Sequence, residues 1–516
     1  MKIYYNGTIY TMDKEGRTVA AVGVEGNRIV ALFEETPEID GAEYIDLKSR
    51  VMFPGFIDTH IHLVGTGMAL GGIDFRDDRS IDDVMKKIAA AAEALPEGSW
   101  LVCEGYDDNQ LNHKLTRREL DAVTSHKVIV KRICRHAAIV NSAAFNALAI
   151  SEDVADMEGG HFERQDGMLN GWVHDNAMEL FVNASVHETE ESLSRHMERA
   201  ADAMHAVGLT AIHTEDLGYY NNFHNVFRAY QHTFGKGKKQ LRLNLLRHTS
   251  IFEELMASDY TYDTWIKADS MKFYADGALG GRTALFREPY SDAPETSGLA
   301  IYTQQELEAE VQKARRYGAT VAVHMIGDRA CEMVLDAVEK YPPRSGRDRL
   351  IHVSFLAEDL IDRMAELPII CDVQPSFLTS DFPWAIERVG EERLTYAYAW
   401  QTLLNKGIII GGGSDAPIES FNPLVGIDAA VNRRPFDAAV QYTMDEALSV
   451  FNAVRLYTEL AATVAERPDN GLIKAGYLAD FTILEADPFT INPFNIHQIK
   501  VAMTVVDGDI VYSTIY

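Results

Sequence analysis

The stretch Thr303–His324, TQQELEAEVQKARRYGATVAVH, decides the fold. Thr303-Gln304-Gln305-Glu306 is a capping box, in which the threonine oxygen and the glutamate carboxylate serve each other's free backbone N–H groups. Leu307, Val311 and Ala314 recur at helical spacing, and Gly318 supplies the left-handed residue that closes the helix. Thr320–His324 follows as a short apolar strand ending in a histidine. A second helix carries Ala330, Val334, Ala337 and Val338 on one face. Arg349–Val353 is then a strand, Ala357–Leu367 a helix and Ile369–Val373 another strand. Gln401–Asn405 leads through Gly407 into the strand Ile408–Ile410. Alternation with short links predicts a parallel sheet with right-handed crossovers, closed as a barrel or open.

Away from this middle the chain changes character. Ile3–Tyr5, Thr8–Met12 and Val19–Val24 are β-prone, with turn chemistry at Asn6-Gly7 and Glu25-Gly26-Asn27. At the other end Phe481–Leu484, Val501–Val506 and Ile510–Tyr512 are β-prone, with Asp507-Gly508 as a hairpin signal. Chain ends commonly lie close together, so residues 1–54 and 470–516 are expected to share one small sheet domain beside an α/β body over 55–469. Between about 66 and 205 the alternation loosens, with charged Asp74–Asp83, helical Ile81–Ala94 and polar Glu152–Gly171. This segment reads as a large insertion on the body, expected to cover a site and supply substrate contacts.

Composition narrows the function. Of 516 residues, 47% are apolar and 24% charged, which suits a packed chain and excludes wholesale disorder. Asp and Glu number 77 against 48 Lys and Arg, a formal charge of -29 that repels phosphate backbones and argues against nucleic-acid partners. No apolar run approaches the roughly 18 residues that a membrane span needs. Met1–Gly7 lacks the apolar core of a secretory signal. Cys103, Cys134, Cys331 and Cys371 are far apart and form no C-x-x-C pair, so buried free thiols are expected. A cytoplasmic protein with a small-molecule substrate is the expectation, and a homodimer stays open.

The chemistry starts at Pro54-Gly55-Phe56-Ile57-Asp58-Thr59-His60-Ile61-His62. On a strand, Asp58, His60 and His62 share a face, so two imidazoles can bind one cation with Asp58 in support. A bare H-x-H pair also fits ordinary structural histidines. Its weight comes from company: His324 ends one strand, His352 lies near the end of the next, and Asp415 follows Ile408–Ile410 after three glycines. Carboxyl ends of strands are where α/β barrels gather their active sites. Lys272 sits within the apolar Ser270–Gly277 stretch, where an ammonium needs a partner or neutralisation. Carbamylation by carbon dioxide would turn it into a bridging anionic ligand; a salt bridge to Asp276 or another acid is the alternative.

These residues together resemble the amidohydrolase superfamily. Lys272–Ala284 (KFYADGALGGRTA), His324–Ala330 (HMIGDRA), Gly413–Ser420 (GSDAPIES) and Asn422-Pro423-Leu424 resemble its YtcJ-like branch, the amidohydrolase 3 family, which includes N-substituted formamide deformylases. Gly471–Leu484, with its Gly-x-Ile-x-x-Gly-x-x-Ala-Asp pattern, resembles the superfamily's common ending. The resemblance implies a distorted (β/α)8 barrel with a composite β-sandwich from both termini. It implies that His60, His62 and Asp415 hold one divalent cation, most simply Zn²⁺, and that His324 and His352 hold a second, with carbamylated Lys272 as bridge. Ile351 stands where relatives usually carry Glu, and Met325 replaces a small residue.

The reaction this implies is hydrolysis of a non-peptide C–N bond by metal-activated hydroxide. Asp415 would orient the water and carry its proton to the leaving nitrogen, while a second cation or an imidazole, with His352 the catalytic candidate, polarises the carbonyl. Asp108, His136 and Arg282 are candidate substrate residues, and His213 is expected as a packed or supporting group. An esterase or lactonase could use the same site. A catalytically idle barrel serving as an interaction scaffold is the reading from another class, and it has no need of six converging ligands.

Overall fold

Eight short strands, buried along most of their length, pair side by side in parallel and in chain order. They are β1 (Phe56–Ile61), β2 (Leu209–Thr214), β3 (Arg242–His248) and β4 (Ile266–Tyr274), then β5 (Val321–Met325), β6 (Asp348–His352), β7 (Ile369–Val373) and β8 (Ile409–Gly412). Covered on both faces, β1, β2 and β7 are buried at every position; β7 (IICDV) is a near-continuous apolar run, whereas β1 (FIDTHI) and β2 (LTAIHT) intersperse buried polar residues. The computed structural model describes every residue except 76–77, 94, 96–97, 133–136, 158, 186–187, 221, 437 and 516, together with all side chains but those of Asn109 and Pro383 in the remainder. The capping box forms as the sequence predicts. Thr303 and Glu306 exchange hydrogen bonds of 2.8 and 3.3 Å at the head of helix Gln304–Arg316.

The seam between β8 and β1 closes without a ladder. One oxygen of Asp58 accepts from the backbone N–H groups of His60 at 3.0 Å and of Ser414 at 3.1 Å, and the Asp415 N–H donates to the His60 carbonyl at 2.7 Å. Asp58 thus serves the backbone, and its carboxylate does not engage the imidazoles as the shared-face argument suggested. The three glycines of the seam permit this approach. A Cβ on Gly411 or Gly413 would lie 2.7 Å from Thr59 or from the His60 nitrogen, and one on Gly412 would lie 2.7 Å from the Tyr457 ring.

Both ends of the chain enter one further sheet of eight strands. Val51–Pro54 pairs with Lys2–Tyr10 on one side and Phe481–Leu484 on the other, over a core that includes Tyr4, Ile9, Met52, Ile483 and Val505. Asn6-Gly7 is not a turn here. Lys2–Tyr10 is a single strand whose register shifts between Tyr5 and Ile9, with Asn6 at φ 57°. The buried Arg242 at the start of β3 pairs with Asp480 and Asp507, at 2.7 and 2.8 Å.

Met68–Thr189 forms a second compact unit, separate from Met1–Gly67 with Glu190–Tyr516. The helix Glu190–Ala206, placed by the sequence in the insertion, belongs to the barrel unit. The second unit has its own six-stranded sheet and two apolar clusters, one around Val84, Leu120 and Ile139, the other around Phe145, Val173 and Phe181. Among the described residues no helix is long and apolar enough to cross a membrane.

Candidate metal centre

At the carboxyl ends of the barrel strands, backbone and amide oxygens fix which nitrogen of each imidazole carries hydrogen. His62 follows β1, and its Nδ1 donates to the Glu215 carbonyl at 2.8 Å, which leaves Nε2 free, 3.2 Å from the Asp415 carboxylate. His352 Nδ1 donates to the Gln374 side-chain oxygen at 2.7 Å, again leaving Nε2. His324 Nε2 donates to the Gly277 carbonyl at 3.0 Å, leaving Nδ1. An oxygen behind each ring is the arrangement that orients histidines for metal. His60 Nε2 lies 3.4 Å from Asp415, and its Nδ1 is buried without a hydrogen-bond partner.

The rings converge. His324 and His352 are 4.4 Å apart between centroids, and His60 lies 5.8 Å from His352. His60, His352 and Asp415 each offer a ligand atom within 4.8 Å of the others, and so do His60, His62 and Glu215. Burial, then the Lys272 charge, push His60 and His324 down, His324 to about 3. His352 is likewise driven well down, by burial and then by His324. These imidazoles are neutral at pH 7, the form that binds cations. For His62 burial pulls downward but the Asp415 hydrogen bond and neighbouring carboxylates win, raising it to about 9. A proton there occupies the position a cation would take.

Backbone geometry explains how His352 gets there. Arg349 and Ile351 share a face of β6 by alternation, and Ile351 packs with Leu246 and Ala322. His352 and Val353 leave the strand at φ 75° and 44°, and Asp415 sits at φ 56°. Left-handed backbone at non-glycine residues, one of them β-branched, is strain of the sort that clusters at functional sites.

Lys272 on β4 is wholly buried, and its amine lies 3.3 Å from the Glu215 carboxylate. Asp276, the acid the sequence offered first, is not the partner of Lys272; its carboxylate lies 3.5 Å from His324 Nε2. It accepts from the N–H groups of Leu285, Ile326 and Gly327, and burial raises it to about 7. Glu215 is absent from the sequence candidates; β2 runs to Thr214 and delivers Glu215 at its tip. The cue was present: Thr214-Glu215-Asp216 is a polar run directly after an apolar strand. Tyr274 donates to Glu215 at 3.1 Å and shares a 2.6 Å hydrogen bond with Tyr219.

One layer below, Arg349 of β6 ties five strands together. It reaches Asp269 on β4 at 2.6 Å, Asp372 on β7 at 2.7 Å, the Thr59 carbonyl on β1 at 2.9 Å and His213 on β2 at 2.7 Å. Burial works against the Asp269 anion, yet Arg349 holds its carboxyl well below the usual range. His213 is therefore a packed group of this floor.

Among the candidate substrate residues, the described side chains are engaged in ion pairs. Asp108 accepts from Arg132 at 2.6 Å within the second unit, and His136 lies outside the described residues. Arg282 pairs with Asp292 at 2.7 Å and sits at φ 52°, which makes it a loop fastener. Cys103, Cys331 and Cys371 are buried free thiols, and Cys134 lies outside the described residues.

The pattern of the amidohydrolase family matches residues 43–512. YtcJ of Bacillus subtilis (strain 168), an amidohydrolase by name, is 40% identical over 523 residues, covering 99% of both chains. The N-substituted formamide deformylase of Arthrobacter pascens is 27% identical, over 98% of this chain and 97% of its own. A crystal structure of an uncharacterized metal-dependent hydrolase from Pyrococcus furiosus superposes with a TM-score of 0.81 at 28% identity, over 95% of this chain and 100% of that one.

Proposed function

Since the chain belongs to the amidohydrolase family, we propose that it is a metal-dependent hydrolase of a small molecule, cleaving an amide, N-acyl or cyclic amide C–N bond. One observation carries the reading: His60, His352 and Asp415 each offer a ligand atom within 4.8 Å of the others, as do His60, His62 and Glu215, and the His324 ring lies 4.4 Å from that of His352. Such a donor set suits Zn²⁺. His60, His62 and Asp415 would hold one ion, His324 and His352 a second, and Lys272, carbamylated, would bridge them. A divalent cation there supplies Lewis acidity and lowers the pKa of water from 15.7 to about 7.

The remaining work falls to the chain's own groups. The Asp415 carboxylate accepts the proton of the attacking water and passes it to the nitrogen as the C–N bond breaks. His352 would act through the ion it holds with His324, whose Lewis acidity would supply the positive charge facing the carbonyl oxygen. Beneath these groups Arg349 ties β1 to β6 and Asp58 ties β1 to the Ser414 N–H after β8, which fixes the distances that the proton transfer needs.

The test is to measure bound metals by elemental analysis and to screen the metal-loaded protein against amides, cyclic amides, N-formyl amines, esters and lactones. Turnover of C–N substrates with retained metal supports the reading. Turnover of esters or lactones alone, or a protein that takes up no metal, overturns it.

A further inference from the structure

Glu215 is placed for more than neutralising Lys272. One carboxylate oxygen is engaged, 3.3 Å from the Lys272 amine and 3.1 Å from the Tyr274 hydroxyl that donates to it. The other is buried without a partner. An unpaired carboxylate oxygen in a dry interior is costly, and a counter-ion alone would not require it. It belongs to a group that offers a ligand atom within 4.8 Å of both His60 and His62. The backbone of the same residue orients one of those rings, since the Glu215 carbonyl accepts from His62 Nδ1 at 2.8 Å.

We propose that Glu215, delivered by the tip of β2, is itself a ligand of the cation held by His60 and His62. This rests on the metal-site reading above. It adds a carboxylate from the second strand to a donor set otherwise drawn from β1, β4, β5, β6 and the loop after β8. Tyr274 then holds the engaged oxygen of Glu215 through its hydroxyl, and Lys272 lies beside that same oxygen as the β4 member of the donor set.

Cobalt(II) serves as a coloured probe, with affinity and stoichiometry from equilibrium dialysis and ligand field from the visible spectrum. Four proteins form a double-mutant cycle: wild type, Glu215→Gln, Lys272→Met and the double variant. Glu215→Gln should weaken the tightest Co²⁺ at least tenfold and shift its spectrum. The same loss should appear in the Lys272→Met background, read on the ion that His60, His62 and Asp415 still hold there, with no lysine nitrogen left for Glu215 to pair with. If the loss disappears in that background, Glu215 is a counter-ion only and the proposal fails. Should Glu215→Gln not fold, Glu215→Asp keeps the charge on a shorter arm. An altered spectrum then supports ligation, and wild-type affinity with an unchanged spectrum overturns it. Wild-type protein that takes up no Co²⁺ fails the metal reading itself, whereas uptake unaffected by Glu215 variants fails this inference alone.

Discussion

Lys272 shows what a sequence can say about a single residue. Its place in an apolar strand announced a special role, but the partner had to come from another strand and only the fold could name it. His60 and His62 stood out as an H-x-H pair on one strand face, and His324 and Asp415 because each ends or follows an apolar strand. Glu215, at the tip of β2, is absent from the sequence candidates, and the entry of His352 was hidden by a left-handed turn that strand alternation does not contain. If Lys272 bridges as a carbamate, Lys272→Ala should lower the metal stoichiometry and reduce turnover roughly hundredfold or more. Lys272→Arg should rescue neither despite keeping the charge, and full metal content in either variant would defeat the bridge. His205 gives a prediction away from the site. It is 3% exposed, its Nε2–H donates to the Gln240 carbonyl at 3.2 Å, and burial lowers it to about 4. Between pH 6.5 and 4 the unfolded chain takes up a proton that the folded chain refuses, so stability present at pH 7 is lost on acidification, by up to about 3 kcal/mol. Melting temperatures at pH 7 and pH 5 should therefore fall further for wild type than for His205→Gln.

Elements were legible where local chemistry and burial agree. The helix Gln304–Arg316 follows from its capping box and apolar stripe, and the barrel strands from their apolar runs. Asn6-Gly7 misled because the same left-handed preference serves a bulge as well as a turn, and only the pairing of Lys2–Tyr10 with Thr18–Glu25 decides between them. The seam of the barrel was half visible: three glycines in a row signal close approach, but not to what. Since a Cβ on Gly413 would meet the His60 nitrogen at 2.7 Å, Gly413→Ala should force β8 away from β1. The expected cost is about 1–3 kcal/mol, read as a lowered melting temperature. Metal affinity should fall with it, because His60 and Asp415 share that seam through a 2.7 Å backbone hydrogen bond. Wild-type affinity in a folded Gly413→Ala protein would separate the seam from the site.

At the scale of the whole molecule, the family pattern and the β-prone ends made the barrel and its terminal sheet readable, while the sheet inside Met68–Thr189 was not. Its strands are interrupted by polar and charged runs, so no single period dominates that stretch. Two compact units with separate apolar cores should not unfold as one. Calorimetry should give a van't Hoff enthalpy below the calorimetric one, and equal values would show a single cooperative unit. The terminal sheet carries a consequence for synthesis. Val51–Pro54 is made early, yet one neighbour, Phe481–Leu484, leaves the ribosome more than four hundred residues later. At roughly 5–20 residues per second that delay is on the order of a minute. Throughout it the strand offers an open edge, the kind of surface that chaperones shield and that stray strands capture. A chain broken off before Phe481 never covers that edge, so the fold marks its own unfinished copies for removal.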